Sequence, residues 1–246
     1  MTDFVFLHGG GQGSWVWEDT IAAIAARSGS NGGHCLALDV PGCGTKRGRE
    51  TADTAFTDII RELVEDIDAA GLKDVVLVGH SQAGTALPAM YAHRPDMFSK
   101  LVFVSCIAPD PGVTVVDMTA RRMREQGHSD GSRALTDETL SMQERFRIMF
   151  CNDMTQPQAE IFLAGLGQDS WPHSAYAETD WSYDHLAAVP VSFVLCLQDA
   201  ILPLEWQERF AVRVHARSTP RIDAGHQVMN TQPQALATVL LSEVEG

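Results

Sequence analysis

The sequence is poor in cysteine and has no cysteine pattern of known chemistry. Only five of its 246 residues are cysteine, and they form no CxxC pair and no Cys/His spacing of the kind that binds zinc. Cys106 and Cys196 end apolar runs, where cysteine commonly packs as a small hydrophobic residue. The pattern argues against a disulfide framework and a metal centre, and we expect a protein that works without metal or cofactor.

Positive charge and long apolar runs are also scarce. The chain has 18 Lys and Arg against 32 Asp and Glu, and the net charge of −14 disfavours a nucleic-acid or anionic-membrane partner. No apolar stretch approaches the ~20 residues of a membrane span, and no basic segment of signal-peptide type precedes the apolar run Phe4–Leu7. We therefore expect a cytoplasmic protein that binds neither nucleic acid nor membrane.

What the sequence does contain is a regular alternation of short apolar runs and amphipathic stretches, such as the helical spacing of apolar residues in Phe56–Ala69. The runs expected to form strands are Phe4–Leu7, Cys35–Leu38, Val75–Val78, Leu101–Ser105, Val191–Leu197 and a weak one at Arg221–Ile222. Because these runs are apolar throughout and are separated by helices, they predict an α/β fold with a mostly parallel, doubly wound sheet.

The alternation stops in the middle of the chain. From about Asp110 to His185 no short apolar run qualifies as a strand, and polar helices with scattered aromatic residues occupy the segment. We interpret residues 110–185 as a helical cap inserted into a core domain formed by 1–109 and 186–246. Such a cap would lie above the carboxyl ends of the strands, where the active sites of α/β folds form. A small second domain is the alternative.

The most informative motif is the segment Gly79–Gly84, with the sequence GHSQAG, directly after the apolar run that ends at Val78. A strand that ends on small-x-Ser-x-small and then becomes a helix is the nucleophile elbow of serine hydrolases. The turn holds Ser81 in a strained conformation with its hydroxyl exposed, and Gly79 and Ala83 are small enough for the strand and helix to approach closely. Ser81 is therefore the predicted nucleophile.

A serine nucleophile needs an imidazole to accept its proton and a carboxylate to orient that imidazole. The expected chain order is Ser, acid, His, and the sequence has Asp199 after a predicted strand and His226 in a glycine-containing loop after the last one. Asp110, which also follows a strand, is the alternative acid. Asp223 is too close to His226 along the chain to reach its ring from the correct side. We predict a triad of Ser81, Asp199 and His226.

The oxyanion of such a reaction needs two backbone N–H donors. One is expected from Gln82, directly after the nucleophile, and the other from the glycine-rich loop after the first strand, where Gly10 is the candidate. A glycine-rich loop after a strand also suggests phosphate binding. The loop Gly9–Gly13 is not followed by Lys-Ser/Thr, however, so it does not match a P-loop.

Together these motifs resemble the α/β-hydrolase superfamily over the whole chain. More narrowly, they are similar to the branch of hydroxynitrile lyases, plant methyl-ketone and methyl-salicylate esterases and their bacterial esterase relatives. The residues that support the resemblance are His8-Gly9-x-x-x-Gly13-x-Trp15-x-Trp17, Leu38-Asp39, Gly42-x-Gly44-Thr45, Gly79-His80-Ser81, Asp199-x-x-x-Pro203 and Gly225-His226. The resemblance implies the same triad, the same oxyanion donors and a small helical cap.

Departures from the branch bear on the reaction. Its lyases have Thr at the position of Gly9 and Lys directly after the catalytic His, where this chain has Gln227. Related dehalogenases and epoxide hydrolases use Asp as nucleophile in place of Ser81. The resemblance therefore implies a serine esterase that acts on a small, largely apolar carboxylic ester.

Trp171 and Phe150 are the predicted substrate-binding residues of the cap, although both could equally bury the cap against the sheet. The same triad would also cleave a lactone, a thioester, an activated amide or a C–C bond beside a carbonyl, and a lyase reaction on it is a further alternative. A receptor that keeps the hydrolase fold and uses its pocket to bind a small ligand is the alternative from a different class.

Overall fold

The computed structural model describes residues 2–29, 33–122, 130–134 and 137–245. Its strands are β1 (Phe4–Leu7), β2 (Cys35–Leu38), β3 (Val75–His80), β4 (Phe98–Val104), β5 (Val191–Cys196) and β6 (Arg221–Ile222). They form one sheet in the order β2-β1-β3-β4-β5-β6, and every neighbouring pair is parallel. The predicted α/β fold with a parallel sheet is confirmed.

Helices connect the strands. They are α1 (Glu18–Ser28), α2 (Phe56–Ala69), α3 (Ala83–His93), α4 (Asp130–Ala134), α5 (Met142–Phe150), α6 (Gln156–Gly165), α7 (His173–Ala177), α8 (Leu204–Arg213), α9 (Val228–Thr231) and α10 (Pro233–Glu245). Helix α2 has the predicted bounds, because its apolar residues recur on one face and that face is buried. A π-helical turn, Asp117–Arg122, precedes α4.

Two strands extend beyond their apolar runs. Strand β3 continues through Gly79 and His80, because both residues still pair with β4. Strand β4 begins at Phe98, three residues before the predicted Leu101, since Phe98 and Lys100 already pair with β3. Backbone pairing thus continues where the side chains no longer form an apolar run.

The core contains strands and helices, whereas the described residues of the middle segment form helices only. Every residue of β1, β3 and β5 is buried, as in strands covered on both faces, and α1 packs against α10 while α2 packs against α3. Between β4 and β5 the described residues form helices and no strand. The division at residues 110 and 185 stays a prediction. No helix in the described part of the chain has both the length and the apolar composition to cross a bilayer.

The sheet order explains where a binding crevice can form. Strand β1 lies between β2 and β3, so the strand order reverses at this point. Leu7 of β1 pairs with Gly79 of β3, and the loop after β1 therefore leaves the sheet beside the turn after β3. Loops at the carboxyl ends of parallel strands at such a reversal form the usual binding crevice of α/β folds.

Candidate active site

Ser81 lies in a sharp turn between β3 and α3 and has the left-handed φ of 54°. Its neighbours must be small for this turn to form. A Cβ on Gly79 would lie 2.5 Å from Leu87 Cδ1, and a Cβ on Gly84 would lie 2.2 Å from the Ile107 carbonyl oxygen. The strained backbone is held by two N–H groups that donate to the Ser81 carbonyl, from Gly84 at 3.1 Å and Ile107 at 3.0 Å.

His226 connects this serine to a carboxylate. The Ser81 hydroxyl lies 3.0 Å from His226 Nε2, and His226 Nδ1 lies 2.6 Å from Asp199 Oδ2. The side chains of His226 and Asp199 are fully buried. With the proton on Nδ1, the ring donates to the carboxylate and leaves Nε2 free to accept the serine proton.

Four donors orient the Asp199 carboxylate. Oδ1 accepts the backbone N–H groups of Ile201 at 2.7 Å and Leu202 at 2.8 Å. Oδ2 faces His226 and also accepts the hydroxyl of Ser105, a fully buried residue with φ 41° just after β4. Because both oxygens are bonded, this buried carboxylate is satisfied and cannot rotate freely.

The other acids considered as triad members have different partners. The Asp110 carboxylate forms an ion pair with Arg213. Asp223 accepts the side-chain N–H of Gln198 at 2.7 Å. The carboxylate that the structure brings to the His226 ring is Asp199.

The glycine-rich loop after β1 lies directly against the serine turn. A Cβ on Gly9 would lie 2.9 Å from Ser81 Cβ, and a Cβ on Gly10 would lie 2.3 Å from Gln82 Oε1. At Gly9 the neighbouring atom is a Cβ that cannot rotate away, so this approach favours glycine. The backbone of Gly10 and that of Gln82 therefore border the space beside the Ser81 hydroxyl, as the predicted oxyanion donors require.

Trp171 lies behind this loop rather than in the cavity. Its indole N–H donates to the Gly9 carbonyl at 3.1 Å, and the carbonyl also accepts His8 Nδ1 at 2.8 Å. Burial lowers the pKa of His8, which agrees with a neutral ring whose Nε2 accepts the Val40 N–H. The predicted contact of Trp171 with substrate has no counterpart in the cavity lining, because the indole is used to support the loop.

A cavity of about 450 Å³ opens at Ser81. Its apolar lining includes Ile107, Val115, Phe146, Met149, Phe150, Ile201 and Leu202. Phe150 is thus placed in the cavity, and its ring centroid lies 5.8 Å from that of His226. Tyr176 adds a hydroxyl that interacts with the Gln82 side chain, and burial raises the pKa of this phenol to about 12, so it stays protonated.

His80 packs against His226 and bonds to its backbone. Its Nε2–H donates to the His226 carbonyl at 2.9 Å, and the two ring centroids are 4.6 Å apart. Complete burial is the main reason why the pKa of His80 lies well below its ordinary value, and the nearby His226 ring lowers it further. His80 is therefore neutral in the folded protein.

We predict that His80 makes the free energy of unfolding fall as the pH drops below the ordinary His pKa of about 6.5. The unfolded chain takes up a proton there and the folded protein does not, which steepens the loss by up to about 1.4 kcal/mol per pH unit. The free energy of unfolding, measured with urea at several pH values in this range, should change less steeply with pH in His80→Gln than in the exposed control His93→Gln. The glutamine amide can still donate to His226. Equal slopes in the two variants would contradict the assignment.

Several contacts could not be found from the sequence pattern. Ser105 follows a buried strand at the carboxyl edge of the sheet, and that position is the only local signal of its bond to Asp199. Tyr176, Asn152 and Asp153 belong to a segment without a regular pattern. Their partners lie far away along the chain, so only the folded structure reveals them.

Comparison with known proteins agrees with this architecture. A family model described as alpha/beta hydrolase family matches residues 4–239, and the chain belongs to that family. The predicted resemblance to the superfamily is thereby confirmed. The crystal structure of polyneuridine aldehyde esterase superposes with a TM-score of 0.79 at 21% identity, covers 100% of both chains, and shows the same fold.

The similar sequences include plant proteins with methylesterase and esterase names, as the resemblance to the predicted branch implies. An Arabidopsis thaliana chloroplastic protein of the methylesterase class (methylesterase 11) is 24% identical over 97% of this chain and 63% of its own length. Probable esterase PIR7A of Oryza sativa subsp. indica is 33% identical over 44% of this chain and 40% of its own length. The chain thus spans less than two thirds of these two relatives. Polyneuridine aldehyde esterase of Rauvolfia serpentina is 25% identical over 97% of this chain and 94% of its own length.

Proposed function

We propose that this protein is a serine esterase that cleaves small, largely apolar carboxylic esters through Ser81, His226 and Asp199. The proposal rests on one observation, the continuous hydrogen-bonded chain from Ser81 to His226 at 3.0 Å and from His226 to Asp199 at 2.6 Å, which opens on the cavity. The esterase names of the similar proteins support the reaction class.

In the first half of the reaction, Ser81 Oγ attacks the ester carbonyl carbon and its proton passes to His226 Nε2. Asp199 stabilises the imidazolium through the Nδ1–H bond and keeps the ring in the reactive tautomer. Backbone N–H groups of Gly10 and Gln82 donate to the oxyanion. The tetrahedral intermediate then collapses, the bond to the alkoxy oxygen breaks, and the leaving alcohol takes the proton from Nε2.

In the second half, water attacks the acyl-enzyme carbonyl and gives its proton to the same Nε2. The intermediate releases the carboxylic acid, and the proton returns to Ser81 Oγ. No redox partner is needed, because the first half exchanges the alkoxy group for Ser81 Oγ and the second exchanges Ser81 Oγ for hydroxyl.

The cavity supports the substrate class. Its volume of about 450 Å³ lies in the range of small-molecule sites, and its wall is formed largely by aliphatic and aromatic side chains. In the described part of the chain, no acidic or basic side chain belongs to this lining. An uncharged ester therefore loses less hydration free energy on entry than a charged one does.

We predict hydrolysis of short-chain and aryl p-nitrophenyl esters, and no release of cyanide from mandelonitrile or acetone cyanohydrin above the uncatalysed rate. A departing cyanide would need a cation, and the neutral Gln227 is fully buried where lyases of the branch have Lys. A cyanohydrin hydroxyl would need a side-chain partner, and Gly9 has none. Saturable cyanide release that is lost in Ser81→Ala would overturn the esterase proposal in favour of a lyase.

Many turnovers per enzyme separate an esterase from a receptor of the same fold. Steady release of p-nitrophenol over many enzyme equivalents is the expected time course. A single slow turnover would favour the receptor. Lactones and thioesters in the same panel of substrates then rank the remaining reactions of the triad.

A further inference from the structure

Two neighbouring residues after α5 reach the loops that hold the proposed acid and base. The Asn152 side-chain N–H donates to the Gln198 carbonyl at 2.7 Å. Asp153 Oδ2 accepts the Gly225 N–H at 2.6 Å and the Thr231 hydroxyl at 2.8 Å. Gln198 directly precedes Asp199, and Gly225 directly precedes His226. The contacts at Gln198 and Gly225 therefore fall one residue away from a member of the proposed triad.

The two loops are also joined to each other. The Gln198 N–H donates to the Ala224 carbonyl at 2.9 Å. Asn152 and Asp153 thus bind one connected unit from outside the sheet. Movement of this pair would shift the acid loop and the base loop relative to Ser81, which is fixed separately by β3 and α3.

Gly225 lies close against the side chains of both residues. A Cβ there would lie 2.4 Å from Asp153 Oδ1 and 2.6 Å from Asn152 Oδ1. Among the described residues no donor reaches Asp153 Oδ1, which faces Gly225.

The same stretch of chain meets the cavity. Phe146, Met149 and Phe150 of α5 line it, and Phe150 contacts the His226 ring, while Asn152 follows only two positions later. The cavity wall and the two loop contacts therefore come from one short segment.

We propose that Asn152 and Asp153 are positioning residues, which hold the Asp199 and His226 loops so that His226 Nε2 stays within proton-transfer distance of Ser81. The inference rests on the proposed function. Neither residue touches the cavity, so the pair acts on the geometry of the base and not on substrate binding. A loss of this hold lowers kcat and leaves KM nearly unchanged.

The test compares Asp153→Ala with Asp153→Asn. Alanine removes the acceptor for Gly225 N–H, and kcat for a p-nitrophenyl ester should fall about 10- to 100-fold, the scale of a misplacement near 1 Å. Asparagine can keep an oxygen at the Oδ2 position and should restore most of kcat. Asp137→Ala is the matched control, because Asp137 is exposed and accepts only from Thr139 of its own turn among the bonds assigned to its side chain.

Labelling of Ser81 by a fluorophosphonate separates the two levels of the proposal. If the native protein neither labels nor turns over esters, the esterase proposal fails. If it does both, and Asp153→Ala keeps the native kcat and labelling rate, the positioning role is overturned. Should Asp153→Ala not fold, Asn152→Ala decides instead, since Asn152 is exposed and its loss removes one bond to the acid loop. A native kcat in that variant would equally overturn the role.

Discussion

Ser81→Ala is expected to lower the turnover of p-nitrophenyl esters by on the order of 10³-fold or more, with little change in the free energy of unfolding. The hydroxyl lies 3.0 Å from His226 Nε2 and, in the proposed mechanism, supplies the attacking oxygen. Its removal leaves the backbone of the turn intact, because Gly84 and Ile107 still donate to the carbonyl of residue 81. The measurement is steady-state kinetics on variant protein whose midpoint of urea unfolding equals that of the native protein.

A control for this substitution is Ser242→Ala. Ser242 is exposed in α10 and its hydroxyl donates to the Val239 carbonyl of the same helix. It should keep the native turnover. A correctly folded Ser81→Ala protein with a near-native rate would show that another group is the nucleophile.

The regular parts of this fold follow from local side-chain patterns. Helix α2 has the predicted bounds because five apolar residues recur at helical spacing, and burial of one face is what such spacing produces. The proximity of Ser81, Asp199 and His226 can be predicted for a different reason. Loops at the carboxyl ends of parallel strands share one edge of the sheet, so a polar residue just after each strand is brought near the others.

Side chains that act through distant partners could not be predicted in this way. Ser105 bonds to Asp199, 94 positions later, and Asp153 bonds to Gly225, 72 positions later. Neither bond leaves a local pattern, because it depends on where two loops meet after folding. Trp171 illustrates the same limit. Its aromatic ring predicts a pocket wall, but its N–H is directed to the Gly9 carbonyl.

Asp199→Asn is expected to lower turnover by on the order of 10⁴-fold, because it places the His226 proton on the wrong nitrogen. Oδ1 accepts two backbone N–H groups, from Ile201 and Leu202, so the amide oxygen of asparagine must occupy that position. The amide nitrogen then faces His226 Nδ1 and donates to it. The ring is left with its proton on Nε2, where it can no longer accept the proton of Ser81.

The same substitution at the other candidate acids separates the three assignments. Asp110→Asn weakens an ion pair with Arg213, and Asp223→Asn changes a bond to the Gln198 side chain. Neither contact includes the His226 ring, so both variants should keep turnover within about threefold of native, as for changes away from a reacting centre. If Asp110→Asn abolishes turnover while Asp199→Asn retains it, the acid of the triad follows β4 rather than β5. A turnover close to native in all three variants would mean that none of these three carboxylates orients the base.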